Sequence, residues 1–255
     1  MCDADARPAS ERGRAQSELV GFLLVFSVVV LTIALVGLTG FVGLDGAKDF
    51  QRTTNAEQAF TGFADSVDDV ARDGAPSRST EIRIADGRLS LARTETRIQV
   101  TGVDGSTTNV TVRPAPVVYG SGTGTTITYR SSALIRRDGD AAVMFRDPGF
   151  VLTDERVVLP VVATNKAGGG PVGGTSAVEV RTVRAGTTVV AQDRPVANVT
   201  LNMTTRNPAV WVRYFEAAAD DGPVTNVERN GDNVVVTLEP ERATVTVHRV
   251  DVGFE

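Results

Sequence analysis

"RGRAQSELVGFLLVFSVVVLTIALVGLTGFVGLDGAKDFQR", residues 12–52, decides how the rest of the chain is read. From Leu19 to Leu44 it runs for 26 residues without a charge. A helix of that length rises about 39 Å, more than a hydrocarbon core of about 30 Å. A removable secretory signal instead carries an apolar stretch of about 7–15 residues with a small-residue cleavage site behind it. Here the small residue, Ala15, stands in front, and Asp45, Lys48 and Asp49 follow, so the stretch reads as a retained transmembrane helix over 19–44. Arg7, Arg12 and Arg14 before it, against Lys48 and Arg52 after it, put the amino terminus in the cytoplasm. The expected location is the cell membrane, crossed once, with membrane lipid as a partner and an extracellular carboxy-terminal domain.

Past Leu44 the helical period continues. Phe50, Ala56, Ala59, Phe60, Phe63, Val67, Val70 and Ala71 recur mostly at steps of three or four, an amphipathic stripe over 45–73 with one face to be covered. Asp73-Gly74-Ala75-Pro76 supplies the stop. From residue 75 to 255 the pattern is that of strands. Turn signals at Asp86-Gly87, Asp104-Gly105, Ala185-Gly186 and Asn230-Gly231 predict antiparallel hairpins. "NPAVWVRYFEAAA" is the exception: Asn207 at the cap, Pro208 in the first turn and Val210, Trp211, Tyr214 and Phe215 on one face predict a short helix over 208–219. Glycines at 165–177 mark a loop. The expected class is α+β: a leader over 1–15, a long helix over 16–74, and an antiparallel β-rich exterior domain with one short helix.

Charge and chemistry exclude several functions. The 26 basic and 31 acidic residues leave a net charge of −5 without basic clustering, so nucleic acid is not the expected partner. All the basic residues except Lys48 and Lys166 are arginine, a bias that suits high-salt adaptation or GC-rich coding. Cys2 is the only cysteine and His248 the only histidine. Disulfides and zinc sites built on Cys and His therefore lack ligands, and no cofactor is expected. His248 falls on the strand face shared by Thr244 and Thr246, opposite Val245 and Val247, and no Gly-x-Ser-x-Gly elbow accompanies it. The glycines at 120, 122 and 124 precede a strand, not the helix that a dinucleotide site requires. Asp68 with Asp69, Asp138 with Asp140, and Asp220 with Asp221 read as solvated pairs. No catalytic residue is assigned. Three Asn-x-Thr sequons, at Asn109, Asn198 and Asn202, are compatible with N-glycosylation.

The segment "RGRAQSELVGF" resembles the processing site of archaeal type IV pilin-like proteins and archaellins, in which a short basic leader ends in a small residue ahead of a retained apolar helix. The resemblance covers residues 12 to about 50. It implies a prepilin peptidase as a partner, cutting between Ala15 and Gln16, and self-association or association with other pilin-like subunits through the first helix. Glu18 is then either a pairing group for a neighbouring subunit's amine or a helix-start acid favoured by the dipole. Gly37, Gly40 and Gly43 supply small steps for close helix packing. The length suggests a minor pilin-like surface protein of halophilic archaea. Three functions stand open: a subunit or accessory of a surface filament, an anchored binding or adhesion module that does not polymerise, and an anchored exoenzyme.

Overall fold

The computed structural model describes residues 11–84, 87–174, 177–219 and 222–255, with side chains inside the first helix described at 20–35, 48 and from 50 onward. The elements are α1 (Glu11–Ala71), β1 (Ser77–Arg83), β2 (Gly87–Leu91), β3 (Thr96–Gly102), β4 (Thr107–Val112), β5 (Val117–Gly120), β6 (Thr126–Arg130) and β7 (Ala133–Asp138). They continue with β8 (Ala141–Arg146), β9 (Val151–Leu152), β10 (Arg156–Lys166), β11 (Val172–Gly174), β12 (Ala177–Thr204), α2 (Pro208–Glu216), β13 (Val224–Asn230), β14 (Asn233–Leu238) and β15 (Arg242–Phe254). Two compact units divide the chain, Met1–Gln51 and Arg52–Glu255.

Two expectations are corrected here. The protein is mostly β, not α+β, because two extensive sheets organise the second unit and its helical pieces serve as covers on them. Nor is the single-pass membrane anchor upheld: among the described residues no helical stretch is both long and apolar enough to cross a membrane. Within the expected span the described side chains are those of 20–35. Leu19 and residues 36–44 of that span lie outside the described side chains.

Among the described residues nine strands form one sheet, with the path β13-β14-β12-β15-β10-β9, with β1 and β3 also paired to β12, and with β4 paired to β3. Six form the other, in the order β11-β2-β5-β6-β7-β8. The expectation of purely antiparallel pairing fails at one place: β10 and β15 run parallel from Arg156↔Arg242 to Lys166↔Val252. The hairpins at Asp104-Gly105 and Asn230-Gly231 form as read, with Gly105 and Gly231 at φ +79° and +61°. The other two do not. β1 pairs with β12 and β2 with β5 and β11, while Ala185-Gly186 lies inside β12 as a bulge between Arg184 and Gly186.

Burial along β15 explains how one sheet serves two cores. Ala243, Val245 and Val247 are buried, then the parity changes and Val250, Val252 and Phe254 are buried. Alternate strand residues point to opposite faces, so the covering layer changes sides at His248 and Arg249. The adjacent strand changes in the same rows: Val161, Val162, Ala163 and Thr164 are buried in succession, and Val162 and Ala163 lie opposite His248 and Arg249. On one side α2 brings Val210, Trp211 and Phe215 onto Val157, Leu159, Val199, Leu201, Val236 and Val245. On the other, the α1 stripe Phe60, Phe63, Val67 and Val70 meets Ile82, Tyr119, Tyr129, Val250 and Val252. The stripe expected over 45–73 is thus real from Ala56 onward, whereas Phe50 is 74% exposed.

Candidate functional site

Inside the second unit a polar cluster fastens the α1 stripe to the β6–β7 turn. That turn has two residues, Ser131 and Ser132, both at positive φ (48° and 67°) where Asn-Gly is the usual choice. Left-handed backbone costs an L-residue roughly 1–2 kcal/mol, and each serine makes contacts that hold it there. Ser131 Oγ accepts from Val162 N at 3.1 Å. Ser132 Oγ donates to Asp68 Oδ1 at 2.6 Å and accepts from Arg72 Nη2 at 2.9 Å. Asp68 Oδ2 takes Arg146 Nη2 at 2.9 Å, and Arg146 Nη1 also reaches Asp65 at 2.5 Å. Farther along the helix Glu57 Oε1 accepts from Arg136 Nη1 at 2.8 Å. The Tyr129 hydroxyl lies buried nearby, and burial, then the Asp68 charge, push its ionisation well above the ordinary tyrosine range.

Chemically this is a clamp. Ser132 is 1% exposed, its proton is committed to a carboxylate, and its oxygen already accepts from a guanidinium. Next to the turn, Arg130 is buried, with its Nη1 on Thr204 O and its Nη2 on Thr96 Oγ1 at 2.8 Å. Burial alone pulls its ionisation below the ordinary guanidinium range, to about 10, so it remains a cation at neutral pH.

The sequons form a second pattern. Asn198 and Asn202 lie on β12 among the inward-facing Val199, Leu201 and Met203, so both point outward. Through Thr200↔Gln99 and Gln99↔Asn109 the register brings Asn109 of β4 to the same outer face. With about 3.3 Å per residue and about 4.8 Å between strands, the three asparagines mark a triangle with sides of about 12–13 Å. The third residue of each sequon, Thr111, Thr200 and Thr204, shares that face, and Thr204 Oγ1 bonds Asn233 Oδ1 at 2.8 Å.

His248 sits at the row where burial changes sides, with Nδ1 3.2 Å from Thr187 Oγ1 and Nε2 3.0 Å from Thr246 Oγ1. Burial, then the Arg72 charge, lower its pKa from the ordinary 6.5. No serine–acid pair contacts it among the described residues. Asp68 and Asp69 do not act as a pair: the first is in the clamp and the second binds Arg78 Nε at 3.0 Å. Asp138 binds Arg136 at 2.9 Å. Among the described residues no group of three or more His, Cys, Asp or Glu is placed to hold a metal ion. Cys2 and the pair Asp220 and Asp221 lie outside the described residues. Ala15, Gln16, Glu18, Gly37, Gly40 and Gly43 fall within α1, with their side chains outside the described set.

A family model of unknown function matches residues 14–253, nearly the whole chain. The chain belongs to that family, DUF7289. Neither a curated protein nor a solved structure matches it. For this DUF7289 member the clamp was invisible to sequence reasoning, since Asp68 and Ser132 are 64 positions apart. The one available signal was Arg146, a basic residue in the β8 strand that faces the helix carboxylates Asp65 and Asp68.

Proposed function

We propose that the protein is a non-enzymatic structural subunit that assembles with copies of itself through residues 20–35 of α1, in the manner of the pilin-like proteins that its amino-terminal segment resembles. The observation that carries this reading is the exposure of that segment. Phe22, Leu24, Val25, Leu31 and Ile33 are each between 62% and 69% exposed. With Leu23 and Val30, 51% and 47% exposed, these positions fall all round the helix at about 100° per residue, and a helix apolar on every side is a helix meant to be buried. A single two-fold partner covers one side only. Covering every side takes several neighbours, and repeated contact between unlike faces builds rings or open helical arrays. The polar Thr32 in the stretch adds little cost, because its Oγ1 donates to Val28 O at 2.7 Å within the same helix. Cleavage between Ala15 and Gln16 belongs to the proposal, as does glycosylation of Asn109, Asn198 and Asn202, which would dress one outer sheet face.

Sedimentation of the full chain tests it. The wild type should form large assemblies, and Phe22→Glu and Leu31→Glu, on opposite sides of the helix, should each dissolve them while leaving the thermal unfolding of the β-rich unit unchanged. A monomeric wild type overturns the reading in favour of a binding module that does not polymerise. Loss in one variant only reduces it to a pairwise contact. Mass spectrometry of native material should give a chain beginning at Gln16, lost in Ala15→Trp.

A further inference from the structure

A cleft of about 390 Å³ opens where two pairs of strands leave one sheet for the other. The connection from β2 to β3 and the connection from β4 to β5 run side by side there, against the end of β10. The walls are fixed by backbone hydrogen bonds: Ala92 N to Pro116 O at 2.9 Å, Thr94 N to Pro114 O at 3.2 Å, and Ala115 N to Thr164 O at 2.7 Å. Thr164 Oγ1 and Thr94 Oγ1 add donations to Ala115 O and Pro114 O at 2.7 and 2.9 Å. Such a pocket needs little reorganisation to receive a ligand.

Its lining has two parts. Leu91, Pro114 and Ala115 supply an apolar floor, and Arg93, Arg113 and Lys166 supply the charged rim. Arg113 is matched by Glu95, 3.4 Å away, a carboxylate that also binds Arg97 at 2.6 Å. Arg93 and Lys166 have no acidic partner within 4.0 Å among the described residues. In a chain of net charge −5, two unmatched cations on one fixed cleft form a local site for a negative group. Guanidinium planes favour carboxylates through paired hydrogen bonds. An inorganic anion would leave the apolar floor uncovered.

We propose that this cleft binds an organic carboxylate carrying an apolar face, its carboxylate held by Arg93 and Lys166 and its carbon skeleton laid on Leu91, Pro114 and Ala115. A sugar acid and a cyclic aliphatic acid share that chemistry. The proposal is independent of assembly through α1.

Calorimetric titration of the full chain with glucuronate, cyclohexanecarboxylate, glucose and inorganic phosphate tests it. Saturable binding of either carboxylate supports the site, and the tighter of the two identifies the source. The double variant Arg93→Glu/Lys166→Glu should weaken that binding by at least about tenfold with an unchanged melting temperature, and Arg206→Glu/Arg229→Glu, an equal change of charge elsewhere, should leave it unaltered. Glucose or phosphate binding as tightly as the carboxylates, carboxylate binding that survives the double variant, or no binding at all would overturn it.

Discussion

Asp68→Asn isolates the clamp with almost no change of shape. The native carboxylate accepts from Ser132 Oγ at 2.6 Å and Arg146 Nη2 at 2.9 Å, lies 3.7 Å from Arg72 Nε, and is 17% exposed. Hydrogen bonds to charged groups contribute about 1.5–3 kcal/mol each. The amide still accepts one bond, and Arg146 keeps Asp65 at 2.5 Å, so part of the loss is recovered and about 2–3 kcal/mol of destabilisation is expected. For a domain of this size each kcal/mol moves Tm by about 2–4 °C, which gives a fall of roughly 4–12 °C. The neighbouring Asp69→Asn serves as the control. Its single pair with Arg78 is 42% and 48% exposed on the two sides, and such surface pairs contribute about 0–1 kcal/mol. Urea unfolding of the full chain followed by the fluorescence of the buried Trp211 measures both. Equal destabilisation by the two variants, within about 0.5 kcal/mol, would refute the claim that Asp68 anchors the turn.

Two further outcomes follow from other sites. With the folded pKa of His248 below 6.5, the unfolded chain binds the extra proton first as pH falls below about 6.5, so this contribution to stability is complete above that pH and is lost on acidification; His248→Gln should flatten the slope below about pH 6.5, and an imidazole pKa at or above 6.5 by NMR would contradict it. Gly87→Ala should destabilise by about 1–3 kcal/mol, because the added methyl runs into the Tyr119 ring and comes within 2.9 Å of Gly120 O; an unchanged urea midpoint would show that the ring can withdraw.

Local chemistry made some elements legible. Asp104-Gly105 and Asn230-Gly231 carry their own turn conformation, and α2 carries a proline start and an apolar face, so each appears where the sequence puts it. Asn207 stands at the cap of α2 but makes no side-chain capping bond there; Pro208 and the burial of Trp211 and Phe215 fix that helix instead. Asp86-Gly87 misled because the strands on either side find distant partners: β1 is drawn to β12 from a separation of about 100 residues, and β2 to β5. Gly186 misled in another way, since a φ of +144° serves a bulge as well as a turn. Parallel pairing of β10 with β15 has no local signature. The apolar run at 20–35 was evident from its residues, but its meaning depends on what covers it. Arg93, Arg113 and Lys166 look unrelated along the chain, and only the passage of two strand pairs between the sheets brings them together.

Because β10, β12 and β15 contribute to both apolar interiors, neither interior is complete without strands that it shares with the other. Loss of Phe60 or of Phe215 should register in the same cooperative transition, and proteolysis should yield no stable fragment of the β-rich unit. The order of synthesis has a consequence too. Residues 242–254 line both interiors, so a ribosome must deliver almost the whole β-rich unit before either interior can close, and the nascent chain stays exposed to proteases and chaperones until then.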